Sequence, residues 1–187
     1  MPTLTTARLT IRELTLDDLD GVQVISDEGF GAAPLDERRA WLEWTTRNYD
    51  ALAKLYQPPY GERGVTLTAT GELIGMVGLV PALGPFYTLP SFQAAGEPQD
   101  RFNGPEFGLY WAVRESHRGQ GYAAEAARAL IDYGFGTLSL RRIVATTEHD
   151  NNASIAVMRK LGMQVDRNPY PDPPWFQVVG VLLNTRQ

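Results

Sequence analysis

The chain has 187 residues, 43% hydrophobic and 21% charged, a globular composition that excludes wholesale disorder and supports one self-sufficient domain over 1–187. It has no cysteine, which excludes a disulfide scaffold, a thiol nucleophile, a zinc–thiolate site and an iron–sulfur cluster. A formal net charge of -5 without a basic tract excludes nucleic acid as a main partner.

Arg8-Leu9-Thr10-Ile11-Arg12-Glu13-Leu14 alternates apolar and polar, which predicts a half-buried strand. Thr15, three residues before Asp18, marks a helix start for a segment through about Asp27. Residues 35–56 carry no Gly or Pro, and Trp41, Leu42, Trp44, Tyr49, Leu52 and Leu55 recur at helical spacing, which predicts a second helix. Val65–Thr70 and Glu72–Val80 read as a hairpin around Thr70-Gly71. No charge occurs between Glu72 and Glu97, but Pro81, Pro85 and Pro90 would break any membrane helix there, so no membrane partner is expected. The amino terminus lacks the pattern of a signal peptide, and a cytoplasmic location is the expectation.

Residues 81–105 form a long inserted loop rich in proline and aromatics, including Phe86, Tyr87, Phe92 and Phe102. Glu106–Val113, apolar on both faces, reads as a central strand. It is followed by a helix over Gly121–Phe135, a strand over Arg142–Thr147, and a helix over Ala153–Leu161 capped by Gly162. A final strand pair is expected at Met163–Asp166 and Phe176–Leu183, with Arg141 and Arg142 on a solvated edge. The expected architecture is mixed α/β (α+β), a central mixed six- to seven-stranded sheet with helices on both faces, and not a doubly wound fold.

The segment Val113–Ala124 carries the most chemical information. A strand ends, glycines let backbone approach a ligand, and a helix begins whose first N–H groups are unpaired at a positive dipole end. A bound phosphate and an ordinary glycine turn both suit that pattern. Without Gly-Lys-Ser/Thr it is no nucleoside-triphosphate loop. Gly119-x-Gly121-x-x-Ala124 does match the dinucleotide fingerprint, with Glu148 or Asp150 further on to hold a ribose, which would make the chain an NAD(P)-dependent oxidoreductase. Against that, polar residues separate Val113 from Gly119, and only 66 residues follow Gly121, too few for a double βαβαβ sheet. Both histidines, His117 and His149, lack the helical two-histidine spacing of a metal site, so no metal is expected.

Arg118-x-x-Gly121-x-Ala123 resembles the loop that binds the acetyl-CoA pyrophosphate in the GNAT N-acetyltransferases. Asn151-Asn152-Ala153-Ser154 with Arg159-Lys160-Leu161-Gly162-Met163 resembles the branch that acetylates ribosomal-protein amino termini. Arg8-Leu9-x-Ile11-Arg12 with Asp18, Gly71–Gly75 and Gly108–Trp111 are similar to it as well, in the same order. The long 81–105 insertion departs from the family, which joins those strands by a short turn.

The resemblance implies a GNAT-like fold and an enzyme that transfers acetyl from acetyl-CoA to a primary amine, a protein amino terminus or a small amine, by direct attack in a ternary complex. It places the backbone of Trp111, Ala112 and Val113 along the pantetheine arm, with an N–H there on the oxyanion. It lays the diphosphate on Arg118, Gly119, Gln120, Gly121, Tyr122 and Ala123, with Asn151 and Ser154 near the sulfur. An α-amine with pKa near 8 loses its proton at pH 7 for about 1 kcal/mol, a lysine for about 4.6 kcal/mol, so a weak base suffices for an amino terminus. Glu106, at the head of the central strand, is the candidate base, with a solvated strand-end charge as the alternative. Ser154 is the candidate acid, beside a possible cap role, with Tyr170 as a second donor. Trp41 and Trp44 lie on a helix that borders the family's acceptor pocket, with core packing as the alternative. Phe86 and Tyr87 would cover that pocket or contact a second copy in a homodimer. A catalytically idle acetyl-CoA-binding module is the remaining alternative.

Overall fold

The computed structural model describes residues 1–168 and 173–185. Tyr170 therefore lies outside the described residues. Contacts divide the chain into two compact units, Met1–Val80 with Tyr110–Leu130 and Pro81–Leu109 with Ile131–Gln187.

In the first unit, β1 (Leu4–Thr5), β2 (Leu9–Arg12), β3 (Gly61–Leu67) and β4 (Leu73–Gly84) pair antiparallel in chain order. Leu9 and Ile11 are buried while Thr10 and Arg12 are half-exposed, so the alternation read from the sequence is the pleat of β2. The Thr70-Gly71 turn is present, with Gly71 at φ +75 and its N–H donating to the Leu67 carbonyl at 2.8 Å. β3 begins four residues before its expected start. Its first residues, Gly61 to Gly64, show no apolar alternation because the buried side chain there is Arg63, 2% exposed. The Arg63 guanidinium lies 4.2 Å from the Tyr49 ring and donates to the Glu62 carbonyl at 2.9 Å.

Thr15 starts its helix as expected: its N–H donates to Asp18 at 2.8 Å, and Arg12 grips both oxygens of Asp18 at 2.8 and 2.7 Å. A single 3-10 turn leads into α1 (Leu19–Phe30), and α2 (Leu35–Lys54) follows. Leu14, Leu19, Val22, Ile25 and Leu42 are buried with Met76 and Ala112, and Trp41, Leu73 and Tyr110 pack against them. Each large apolar side chain buried this way contributes about 1.5–3 kcal/mol.

In the second unit, β5 (Gly104–Val113) starts and pairs parallel with β6 (Arg142–Thr147) at Gly108 and Val144. β6 pairs antiparallel with β8 (Val178–Leu183), which pairs antiparallel with β7 (Gln164–Arg167). α4 (Tyr122–Gly136) and α5 (Asn152–Lys160) complete the expected elements. The described residues thus hold eight strands, one more than the upper expectation, the extra one being the two-residue β1. The mixed α/β class is as expected. No described helix is long and apolar enough to cross a membrane.

The 81–105 segment is a correction. It is not an unstructured loop: β4 runs on to Gly84, a 3-10 turn covers Phe86–Thr88, and α3 spans Pro90–Ala94. Phe86 and Phe92 are fully buried, their rings stacked at 5.6 Å and joined by Phe176. The Ser91 N–H at the start of α3 donates to Asp166, 75 residues away, at 2.8 Å, a cap that local sequence cannot show. Of the insertion's phenylalanines only Phe102 is exposed, and Leu83 is the other large apolar side chain exposed in the segment.

Candidate functional site

Between Val113 and Tyr122 the chain makes a 3-10 turn at Glu115–His117, then two glycine steps with Gly119 at φ +75 and Gly121 at φ +84. An L residue in that left-handed region costs roughly 1–2 kcal/mol. A Cβ on Gly119 would meet nothing within 4 Å, so backbone conformation alone requires the glycine. The Gly121 carbonyl accepts the first helical bond of α4, from Glu125 at 3.0 Å. Upstream of it, the backbone N–H groups of Gly119, Gln120, Gly121, Tyr122 and Ala123 have no acceptor among the described residues. Such a run of free donors at a helix start suits an anionic oxygen-rich group.

Side chains hold this loop from two sides. Arg118 donates from Nε to the Val113 carbonyl at 3.0 Å, from Nη2 to the Glu28 carbonyl at 3.0 Å, and from Nη1 to Glu115 at 3.2 Å. Its guanidinium therefore braces the loop against β5 and α1, and its side chain is spent on protein acceptors. From the other side, Arg8 donates from Nε to Glu125 at 2.8 Å and from both Nη atoms to the Gln120 carbonyl at 3.2 Å, with its guanidinium 4.3 Å from the Tyr122 ring. Burial would raise the Glu125 carboxyl, but hydrogen bonds from Thr6 and Arg8 outweigh it and hold the group below the usual range. Glu28 and Glu125 also hold the loop and were not singled out from the sequence, where Arg8 was read only as part of a strand motif. The Arg8–Glu125 pair joins residues 117 apart, so no local spacing announces it.

The end of β5 lies beside the loop. The Arg114 N–H donates to the Ile74 carbonyl of β4 at 2.9 Å, and a Cβ on Gly75 would fall 2.5 Å from the Ala112 carbonyl oxygen. Peptide groups alternate sides along a strand, so Ala112 serves the β4 edge while Trp111 and Val113 turn theirs to the other edge. This narrows the expected backbone donors at 111–113 to Trp111 and Val113, whose carbonyl is already taken by Arg118.

In the second unit Asn151 caps α5, its Oδ1 accepting from the Ser154 N–H at 3.0 Å. The local cap is thus Asn151, and the half-buried Ser154 hydroxyl makes no hydrogen bond among the described residues. Glu106 is not a solvated strand end. Its side chain and that of Arg142 are each 7% exposed, and Oε1 accepts from Arg142 Nη2 at 2.5 Å and Nε at 2.7 Å. Arg142 also donates to Glu97 at 2.8 Å and lies 4.1 Å from the Phe92 ring, which corrects the expectation of a solvated edge. Two guanidinium donors occupy one of the two Glu106 carboxylate oxygens.

The expected acceptor-pocket aromatics separate. Trp41 is half-buried against the first unit's core, and Trp44 is 61% exposed on α2. Phe86 is 0% exposed and cannot touch a ligand, which corrects its assignment. Tyr87 is partly buried, its ring edge-on to Phe92 and so close to Gly104 that a Cβ there would clash at 2.3 Å. Among the described residues no three or more His, Asp or Glu side chains cluster so as to hold a metal ion.

The Acetyltransferase (GNAT) domain family matches residues 8–164 of the chain. The N-acetyltransferase YoaA of Bacillus subtilis is 30% identical over 87% of this chain and 83% of its own length. Spermidine N(1)-acetyltransferase of Escherichia coli is 27% identical over 68% of this chain and 61% of its own length. The chain spans less than two thirds of the length of two other relatives, 32% of B. subtilis YnaD and 63% of YkkB. An acetyltransferase structure from Agrobacterium tumefaciens superposes with TM-score 0.69 at 29% identity, covering 97% of this chain and 94% of that one. A RimL ribosomal L7/L12 α-N-protein acetyltransferase in complex with coenzyme A has the same fold, with TM-score 0.64 at 15% identity over 97% and 98% of the two chains. The chain belongs to the GNAT acetyltransferase family.

Proposed function

We propose that this GNAT acetyltransferase moves an acetyl group from acetyl-CoA to a primary amine, a protein amino terminus or a small amine. The observation that carries the reading is the run of acceptor-less N–H groups at Gly119–Ala123, held open by two left-handed glycines within a chain that matches the family over 8–164. Those donors fit a diphosphate, and the family match favours that ligand over a nicotinamide dinucleotide. Bound acetyl-CoA supplies the thioester; the rest is done by the chain's own groups. Gly119, Gln120, Gly121, Tyr122 and Ala123 hold the diphosphate through backbone N–H groups. Arg118 and Arg8 keep the loop in the shape that aims them. The Trp111 and Val113 peptide edge orients the pantetheine arm, and Ser154, with its free hydroxyl, is the donor toward the leaving sulfur. Asn151 sets the start of α5 on which Ser154 sits. Glu106 takes the part of a positioning residue, holding Arg142, because its bonded oxygen already accepts two charge-assisted hydrogen bonds.

The relatives' names support both acceptor classes, since one acts on spermidine and another on a ribosomal protein's α-amine. The test is thiol release from acetyl-CoA on a panel of peptides with free amino termini and of small amines. Amine-dependent release supports transfer. Cofactor binding with no release on any amine supports the idle module instead.

A further inference from the structure

Building on the acetyl-transfer reading, we propose that Glu62 on β3 binds the acceptor's ammonium group and takes its proton. Glu62 stands opposite Gly78 in the β3–β4 register and is half-buried. Gly64, two residues on and therefore on the same face, would point a Cβ at Leu14 and Leu73, 3.0 Å from each. Both belong to the core under α1 and α2, so Glu62 shares the face of the sheet that those helices cover.

Two tyrosines neighbour Glu62, one of them through the Glu62 main chain. Tyr49 of α2 donates its hydroxyl to the Glu62 carbonyl at 2.7 Å. Tyr110 of β5 is close enough that, after burial, the Glu62 charge is the next cause pushing its hydroxyl well above the usual value. The Phe30 ring lies 5.8 Å from Tyr110, and Trp41 packs against the same core. The charged groups around Glu62 are Arg38, Arg63, Arg12 and Glu13, and each cation is engaged elsewhere. Arg38 pairs with Asp27 at 3.2 Å, and Arg12 holds Asp18. Arg63 donates to main-chain carbonyls of Glu62 and Tyr60 and lies 4.0 Å from Glu13. Among the described residues no ion pair reaches the Glu62 carboxylate. Burial raises the group above the ordinary carboxylate value, with its own N–H and the Arg63 charge opposing.

A half-buried carboxylate with no ion-pair partner of its own offers an ammonium a charge-assisted hydrogen bond. A neutral or anionic acceptor would leave that charge uncompensated. In the transfer, an ammonium N–H bond breaks as an O–H bond forms on Glu62, which frees the nitrogen lone pair. The nitrogen then forms its bond to the acetyl carbon as the carbon–sulfur bond breaks, and its second proton goes to the sulfur. The net products are amide, thiol and one proton, which Glu62 passes to water.

The test uses the whole chain at neutral pH. Millimolar phenethylamine should raise the melting temperature of the wild type, whereas 2-phenylethanol should not. Glu62→Gln should lose the amine shift and lower kcat/KM for the amine by about 10- to 100-fold, the range for one hydrogen bond to a charged group. The KM for acetyl-CoA should stay unchanged, and the acid limb of the kcat/KM profile should disappear. Because the carboxylate is unpaired, Glu62→Gln should fold at least as stably as the wild type, and Glu62→Ala gives the same readouts if it does not. An amine shift equal in wild type and variant, or none in the wild type, overturns the proposal. A Glu62-dependent amine shift without any acetyl transfer overturns the transfer reading and leaves the ammonium site standing. Unaltered transfer by Glu62→Gln keeps the transfer reading and removes Glu62.

Discussion

Replacing Glu106 by glutamine separates the two roles open to that residue. In the structure Arg142 spends Nε and Nη2 on Glu106 Oε1 and Nη1 on Glu97, with both Glu106 and Arg142 side chains 7% exposed. Glutamine keeps an acceptor oxygen but removes the charge, so Arg142 retains only Glu97 as an ionised partner. Hydrogen bonds to charged groups contribute about 1.5–3 kcal/mol, and breaking a buried pair outright costs about 3–5 kcal/mol. Glu97 survives as a partner, so the expected loss is about 2–3 kcal/mol. For a chain of this length that is a fall of roughly 5–10 °C in Tm. The assay is thermal and urea unfolding of wild type and variant, run beside steady-state acetyl transfer below the unfolding range. The structure predicts a lower Tm and a kcat within a fewfold of wild type. A collapse of kcat with unchanged Tm would refute this reasoning and return Glu106 to the role of general base.

Gly119→Ala should weaken coenzyme A binding by about tenfold, since the φ of +75 costs an L residue roughly 1–2 kcal/mol while its Cβ meets nothing; calorimetric titration checks this. Arg8→Ala should lower coenzyme A affinity more than it lowers Tm, because it releases Gln120 and Glu125 at the loop while leaving the apolar core alone. Gly78→Ala should destabilise β3, because its Cβ would fall 2.7 Å from the Gly61 carbonyl oxygen, and should weaken amine binding with it; urea midpoints and the amine titration report the two effects. Acid should destabilise the fold through groups held low: Asp27 by Gln23, Glu97 by Arg142, and Asp18 and Glu125, where burial opposes but hydrogen bonds win. Below the ordinary carboxylate values the unfolded chain binds more protons, so the stability these groups contribute is lost as pH falls through their lowered native values. Glu62 has the opposite sign: its raised native value means its cost grows as pH rises through the window above the ordinary value, and Glu62→Gln should flatten that part of the urea-midpoint profile.

What could be read from the sequence was whatever short spacing determines. The Gly119-x-Gly121 step, the Thr15–Asp18 start and the β2 alternation are all local, and the structure carries each of them. Arg142 looked like a surface charge because its partners, Glu97 and Glu106, lie 45 and 36 residues earlier in the chain. Phe86 looked like a pocket cover or a dimer contact because it lies in a proline-rich insertion, yet burial with Phe92 against Phe176 makes it core. β3 was displaced because a buried arginine, stacked on Tyr49, breaks the apolar pattern on which strand reading relies. Glu62 was passed over for the same reason, standing beside Arg63 where the sequence shows only two adjacent charges of opposite sign.

The most direct test of the central assignment is a thermal-shift titration with acetyl-CoA, coenzyme A and NADH side by side, on the wild type and on Gly121→Val. A ligand at 100 times its Kd adds about 2.7 kcal/mol, which here means a rise of roughly 5–10 °C. The account predicts that rise with both coenzyme A species, none with NADH, and its loss in Gly121→Val, whose valine would sit at φ +84. A rise with NADH alone, or coenzyme A binding that survives in Gly121→Val, would contradict it.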